Sequence, residues 1–152
     1  MEGRSFSRAA KRECWAAAPI VSGRSPDRWR FDACGNIVCA KLSGCEGCLC
    51  FEYDHIIPFS KGGPSVSSNC QILQTRVNRL KGSQEDLDSQ RLSNYSCAKS
   101  WKLPEELDII ELAVWGDISR EGRRCRTPSL LEQFQTASDA FLHRQRGLPP
   151  CE

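Results

Sequence analysis

The sequence predicts an α+β chain in which short strands precede helices. Three observations predict this class: bulky and polar residues alternate from Trp29, an apolar run ends at Pro58, and apolar residues recur at helical spacing in two later segments. With 152 residues, 39% hydrophobic and 26% charged, and a mean hydropathy of −0.47, the chain has the composition of one soluble globular domain with tails.

Residues 1–28 are rich in Arg, Ser and Ala, and we predict a basic, partly disordered arm. It would contain a short helix at residues 7–18, which Pro19 ends. Residues 29–42 then carry two strand-like runs on either side of turn residues 34–36. This pattern predicts a β-hairpin.

Residues 48–57 are the best strand candidate, and Pro58 ends the strand. Gly and Pro residues punctuate the loop of residues 59–69, after which residues 70–73 predict a second, short strand. A short helix follows, because apolar residues recur at i, i+4 and i+7 before a glycine. The residues of this helical pattern are Leu73, Val77 and Leu80, with Gly82 after them.

Residues 84–152 are expected to form a helical C-terminal extension with no residue that demands a chemical role. Acidic residues 84–88 predict a linker or surface turn. Residues 103–115 predict a helix with Pro104 in its first turn, and residues 127–145 predict another helix.

Composition and the first residues exclude several classes. No apolar run approaches the ~18 residues of a membrane span, and the longest, residues 14–21, contains Pro19. The chain begins without the apolar core of a signal peptide, and Glu2 and Glu13 are unusual in an acid-poor transit peptide. We therefore expect an intracellular protein with no membrane partner, and its basic start is compatible with the nucleus or an organelle.

Ten cysteines are many for an intracellular chain of this length. Because no secretory signal is recognised, we expect reduced thiols that fill the core or bind a metal rather than disulfides.

The net charge of +2 is unevenly distributed. Residues 1–83 hold 12 Lys and Arg against 7 Asp and Glu, a net charge of +5, whereas residues 84–152 have a net charge of −3. The basic half is where a polyanionic partner would bind. On charge alone, however, an ordinary solvated surface is the better interpretation.

Asp54 and His55 are adjacent at the end of the apolar strand. His55 is one of only two histidines, and imidazole is the side chain most readily tuned to take up a proton near neutral pH. Alone, it would be interpreted as a structural histidine. Its neighbours favour chemistry: an acid beside it, a Gly-rich loop ending at Asn69, and Asn78 with Lys81 one turn later on the next helix.

Four short motifs follow one another here: DH-x-x-P at Asp54, K-G-G at Lys61, N-x-Q-x-L at Asn69 and N-x-x-K-G at Asn78. Together they resemble the HNH endonucleases of the ββα-metal, or His-Me finger, class. His55 matches the first H, Asn69 the N, and Asn78 the final position, where the family accepts His or Asn, so the chain resembles an HNN variant. The separations are 14 and 9 residues, and the resemblance covers residues 45–82. It implies a ββα-metal core within an HNH nuclease domain at residues 29–83.

The resemblance implies a metal-dependent endonuclease that hydrolyses nucleic acid, with DNA favoured over RNA. His55 would activate the attacking water as general base, and Asn69 would hydrogen-bond across the loop and hold His55 in place. Asp54 and Asn78 offer hard oxygen ligands suited to Mg²⁺ or Mn²⁺. Four nearby cations are expected to hold the phosphate backbone: Lys61, Arg76, Arg79 and Lys81.

This assignment makes one geometric demand on the strand. Neighbouring strand residues point to opposite faces, so Asp54 and His55 can face one phosphate only if the strand bends or ends there. Pro58 and the glycines after it favour such an ending.

Many HNH domains also carry two CxxC pairs that bind a structural zinc. Cys45 and Cys48 match the first pair, whereas Gln74 and Val77 stand where the second pair would be. The sequence therefore does not decide whether the chain binds zinc. Four other cysteines are candidate substitute ligands: Cys34, Cys39, Cys50 and Cys70. The rival function is a non-catalytic module that binds nucleic acid or protein, with or without a stabilising zinc. The sequence does not indicate an oligomeric state.

Overall fold

The computed structural model describes residues 3–84, 92, 94–97, 104–120 and 123–125. These residues form a mixed α+β structure, as predicted, with small antiparallel sheets and short helices. In chain order the elements are Arg8–Ala17 (α1), Trp29–Phe31 (β1), Ile37–Cys39 (β2), Phe51–His55 (β3), Cys70–Gln74 (β4), Thr75–Lys81 (α2), Pro104–Trp115 (α3), Ile118–Arg120 (β5) and Arg123–Cys125 (β6). They fall into two compact units, one within residues 1–22 and 26–101 and the other within residues 23–25 and 102–152. None of the described helices has both the length and the apolar character needed to cross a bilayer.

The first hairpin, β1 and β2, is confirmed, with Trp29 opposite Cys39. Its turn is organised by Asp32, which is only 2% exposed and accepts backbone N–H groups from within the turn. Gly35 adopts a left-handed φ of 81°, which the turn requires and glycine tolerates best. Asp32 also accepts a hydrogen bond of 2.7 Å from the backbone N of Gln74 in β4, so one buried carboxylate joins the hairpin to the second sheet.

The strand, loop, strand and helix predicted in the middle of the chain are present as β3, residues 56–69, β4 and α2. The strands pair antiparallel, and His55 at the end of β3 lies opposite Cys70. Within the loop, a Cβ atom at Gly63 would lie 1.8 Å from the carbonyl oxygen of Ile57, so the loop closes only around a glycine. α2 begins directly after β4 and packs against both strands.

The N-terminal helix α1 packs against β4, and the side chain of its N-cap Ser7 accepts a hydrogen bond of 3.1 Å from the backbone N of Ala10. Ala10 and Cys14 are four residues apart and therefore lie on one side of α1, and Phe6, the residue before the N-cap, is buried with them. One buried apolar cluster of the first unit consists of Phe6, Ala10, Cys14, Val38, Phe51, Cys70 and Ile72. The structure thus differs from the partly disordered arm that we expected, because three apolar side chains among many Arg and Ser residues are enough to anchor the helix.

The second unit contains α3, in the segment predicted as a helix, and a hairpin of β5 and β6 that was not predicted. Glu111 on α3 is fully buried and accepts hydrogen bonds of 3.1 Å from Arg24 and 3.2 Å from the backbone N of Ser119. Residues 85–88 of the predicted linker and the predicted helix at residues 127–145 lie outside the described residues.

Among the described residues, two disulfides join Cys45 with Cys50 and Cys48 with Cys97, each with a Cα–Cα distance of 5.4 Å, and Cys125 is also disulfide-bonded. The expectation of reduced thiols is therefore wrong for these five cysteines. A turn at Gly47 brings Cys50 back toward Cys45, and Cys97, 49 residues further along the chain, reaches Cys48. In this state Cys45 and Cys48 are not thiolates, the form in which cysteine binds zinc. The cysteines found free are Cys14, Cys34, Cys39 and Cys70.

Candidate active site

His55 is the last residue of β3, and its ring is held by Phe6 from the N-terminal segment and by Ser65 from the loop after β3. Phe6 stacks on the imidazole with a centroid distance of 4.1 Å and an interplanar angle of 28°. The Nε2 atom lies 2.9 Å from the hydroxyl oxygen of Ser65, and this hydroxyl donates a hydrogen bond of 3.0 Å to the carbonyl oxygen of Gly3. The ring is therefore fixed by contacts on its face and at one nitrogen.

The side chain of Asp54 projects from the face of β3 opposite to that of His55. Its Oδ2 atom accepts a hydrogen bond of 2.8 Å from Gln71, its neighbour on β4, and forms an ion pair of 2.8 Å with Lys81 of α2. Lys81 is only 5% exposed, and its ammonium also donates a bond of 3.1 Å to the carbonyl oxygen of His55. A buried cation thus neutralises Asp54 and ties the end of β3 to α2.

Asn78 lies on α2 three residues before Lys81, and its carboxamide contacts β3. The Nδ2 atom of Asn78 donates a hydrogen bond of 2.7 Å to Oε2 of Glu52. Glu52 precedes Asp54 by two strand residues, so both carboxylates project from the same face of β3. This geometry brings Asn78 to the face that carries Asp54.

The loop after β3 is held by Asn69, which is 6% exposed. Its Oδ1 accepts a bond of 2.8 Å from the backbone N of Ile57, and its Nδ2 donates bonds of 3.1 Å and 2.9 Å to the carbonyl oxygens of Ile57 and Pro64. Asn69 therefore bridges the two ends of the loop. These side-chain hydrogen bonds go to the loop backbone and not to the ring of His55, so they position the loop.

Asp54, His55 and Asn78 line one open cleft of about 800 Å³. β3 ends at His55; the side chain of Asp54 faces α2, that of His55 faces the segment before α1, and both residues line the cleft. The other lining residues are Arg4, Ser5, Phe6, Lys11, Ser43, Glu52, Tyr53, Pro58, Phe59, Ser60, Gly82 and Ser83.

The four cations expected to hold phosphate are not equivalent in the structure. Lys81 is buried against Asp54 rather than exposed, and Arg79 pairs with Glu46 at 2.5 Å and lies 3.9 Å from Glu52. Lys61 and Arg76 are exposed, and neither lines the cleft. Instead, the cleft receives two cations that the motifs did not include, Arg4 and Lys11. Lys11 also lies 5.4 Å above the ring of Tyr53.

The pKa of His55 lies below its ordinary value of 6.5. Burial is the main cause, because it penalises the charged imidazolium, and the positive charges of Arg4 and Lys81 act in the same direction while Asp54 opposes them. His55 is therefore neutral at neutral pH, which is the state in which a histidine can accept a proton.

Two side-chain oxygen atoms on the α2 side of β3 are of the chemical type that hard divalent cations bind. Among the described residues, Oδ1 of Asp54 is not used by Lys81 or Gln71, and Oδ1 of Asn78 is not used by Glu52. Mg²⁺ and Mn²⁺ prefer oxygen ligands and need few from the protein when water and phosphate complete the coordination. The described part of the chain has no cluster of three or more His, Cys, Asp or Glu able to hold a metal. A metal here would rest on Asp54 and Asn78.

Besides Arg4 and Lys11, three further site residues were not singled out in the sequence: Phe6, Glu52 and Ser65. Glu52 had a usable signal, since a residue two positions before Asp54 on a strand shares its face. Phe6 and Ser65 had none, because their contacts with His55 depend on how the N-terminal segment and the loop fold back.

Comparisons of this chain with protein-family models, curated proteins and solved structures give no match.

Proposed function

We propose that this chain is a metal-dependent HNH endonuclease that hydrolyses phosphodiester bonds of nucleic acid, with β3, residues 56–69, β4 and α2 as its ββα-metal core. The observation that carries the proposal is that Asp54, His55 and Asn78 line one cleft, although they come from a strand, its last residue and a helix. A simple packing role would not require a carboxylate, an imidazole and a carboxamide around an open space.

The chemistry assigns each group a task. His55 is neutral at neutral pH and accepts the proton of the attacking water. Asp54 and Asn78 hold Mg²⁺ or Mn²⁺, which when bound supplies positive charge to the scissile phosphate and the leaving oxygen. Asn69 holds the loop through its hydrogen bonds to the backbone of Ile57, and so fixes the course of the chain directly after His55.

DNA is the substrate favoured by the motif resemblance. Arg4 and Lys11 line the same cleft and supply positive charge for the phosphate backbone on the side opposite α2. Phosphate contacts of this kind position the nucleic acid and do not read its sequence.

The test is nicking of supercoiled plasmid by the purified chain with Mg²⁺ or Mn²⁺. We expect wild-type protein to nick the plasmid, EDTA to abolish nicking, and His55→Ala and Asn78→Ala to lower the rate by about 100-fold or more, the scale of general acid–base catalysis. His143→Ala and Asn94→Ala are the matched controls, since the first removes the only other histidine and the second an exposed asparagine. Wild-type protein that binds DNA equally well in EDTA and never cuts it would overturn the proposal.

One observation favours the rival, a non-catalytic module that binds nucleic acid or protein. The ammonium of Lys81 already neutralises Asp54, so the carboxylate is satisfied without a metal. The plasmid assay separates the two functions, because a binding module retains DNA affinity in EDTA and makes no nicks. Metal analysis of the reduced protein addresses the zinc version: stoichiometric zinc after reduction of the two disulfides would favour a zinc-stabilised module.

A further inference from the structure

Ser65 and the backbone of Gly3 form a hydrogen-bonded chain that ends on His55. The hydroxyl oxygen of Ser65 lies 3.0 Å from the carbonyl oxygen of Gly3 and 2.9 Å from Nε2 of His55. Two oxygen atoms at 3.0 Å need a proton between them, and a carbonyl oxygen only accepts. The single hydroxyl proton of Ser65 therefore belongs to the bond with Gly3.

This assignment decides which nitrogen of the ring carries hydrogen. Because the proton of Ser65 points to Gly3, the hydroxyl oxygen can only accept from His55, so Nε2 must carry a proton. In the neutral ring the lone pair then lies on Nδ1. No hydrogen bond to Nδ1 occurs among the described residues, so this nitrogen is not committed to a structural contact.

The N-terminal segment supplies both the end of this chain and the surface under the ring. Gly3 provides the carbonyl oxygen, and Phe6 stacks on the imidazole at 4.1 Å. The segment is held in turn, since Ser7 caps α1 and Phe6 is buried in the apolar core. Its geometry with respect to the site is therefore set by the fold.

We propose that Ser65, with the Gly3 carbonyl as its acceptor, is a positioning residue that keeps His55 in the Nε2-protonated tautomer and so leaves Nδ1 as the proton-accepting nitrogen. The inference rests on the proposed nuclease function for its catalytic meaning. The tautomer itself is a property of the protein without substrate or metal.

The first experiment measures the tautomer directly, by ¹⁵N NMR of the full chain labelled on its histidines, at a pH where the rings are neutral. The chain has two histidines, so His143→Asn assigns the signals. We expect wild type, Ser65→Thr and the exposed-residue control Ser68→Ala to show His55 protonated on Nε2, and Ser65→Ala to show a mixture. An Nδ1-protonated ring in wild type, or an unchanged tautomer in Ser65→Ala, overturns the inference.

The second experiment measures plasmid cleavage by the same variants. We expect kcat of Ser65→Ala to fall about 10-fold with KM for DNA unchanged, because part of the ~10²–10⁴-fold contribution of a general base is lost when its orientation is lost. Ser65→Thr keeps the hydroxyl and should retain the rate, as should Ser68→Ala. Equal kcat in Ser65→Ala and wild type overturns the inference. If wild-type protein cuts no DNA, the proposed function fails, and the NMR experiment still decides the tautomer.

Discussion

The carboxamide of Asn78 donates from Nδ2 to Oε2 of Glu52 over 2.7 Å, and this bond selects which end of the amide is left for a cation. An amide has a donor end and an acceptor end, so a carboxylate that takes the donor end leaves the oxygen free. Glu52 thus acts on the candidate metal ligand without being one of the motif residues.

The first prediction concerns this bond. Glu52→Ala should raise the Mg²⁺ concentration needed for half-maximal cleavage by about 10-fold, because outer partners of metal ligands typically contribute 10- to 100-fold. Glu46→Ala is the matched control: Glu46 also contacts Arg79, but its side chain is 78% exposed against 28% for Glu52. An Mg²⁺ titration of plasmid nicking measures both variants. The same Mg²⁺ dependence in Glu52→Ala and Glu46→Ala would contradict the orienting role.

The second prediction concerns the hydrogen bonds by which Asn69 holds the loop between β3 and β4. Asn69→Asp replaces an amide that donates to two carbonyl oxygens, those of Ile57 and Pro64, by a carboxylate that repels them. We expect the free energy of unfolding to fall by about 2–4 kcal/mol, since buried polar groups would lose their partners. Urea unfolding measures this difference, and the exposed Asn94→Asp should leave it unchanged. Equal unfolding midpoints for the two variants would show that Asn69 does not brace the loop.

The third prediction concerns the buried ion pair. Lys81→Met leaves Asp54 charged and nearly buried, which should cost about 3–5 kcal/mol of stability. In the Asp54→Asn background the same change should cost less, because no uncompensated charge remains. Thermal unfolding of the four proteins in this cycle measures the coupling. Lys61→Met is the exposed control, expected to change stability by at most ~0.5 kcal/mol. Additive effects in the cycle would rule out the ion pair as the source.

The fourth prediction concerns pH. His55 has a pKa below 6.5 in the folded chain, chiefly because burial disfavours the imidazolium. Folding therefore favours the neutral ring, and the stability that His55 contributes is present above pH 6.5 and lost as the pH falls through that value toward the folded pKa. An NMR titration of the metal-free protein, with His143→Asn for assignment, should place the midpoint of His55 below 6.5. A midpoint at or above 6.5 would contradict the burial that the stacked Phe6 provides.

Local patterns predicted the central part of the fold because its signals are local. The apolar run before Pro58 indicated a strand, although β3 ends at His55, and glycines indicated the loop after it. Val77 and Leu80 of the helical pattern lie in α2, whereas Leu73, its first residue, belongs to β4. The candidate site residues Asp54, Asn69 and Asn78 were chosen from motif order; in the structure Asp54 and Asn78 line one cleft, and Asn69 holds the loop after β3.

What the sequence did not predict depends on contacts between distant segments. The pairing of Cys48 with Cys97 and the bond from Gln74 to Asp32 join residues whose separation carries no pattern. The placement of Phe6 over His55 is of the same kind. This placement depends on the packing of α1 against β4. The apolar residues that make this packing stand among many Arg and Ser residues, so the sequence pattern did not reveal them.

Phe6 is part of the buried apolar cluster, and its ring also stacks on the imidazole of His55. The short segment that contains Gly3 and Phe6 is therefore not a dispensable extension of the fold, since it supplies both the carbonyl that meets Ser65 and the ring that stacks on His55. Trimming by a protease before Ser7 would leave every strand intact and would still remove both contacts.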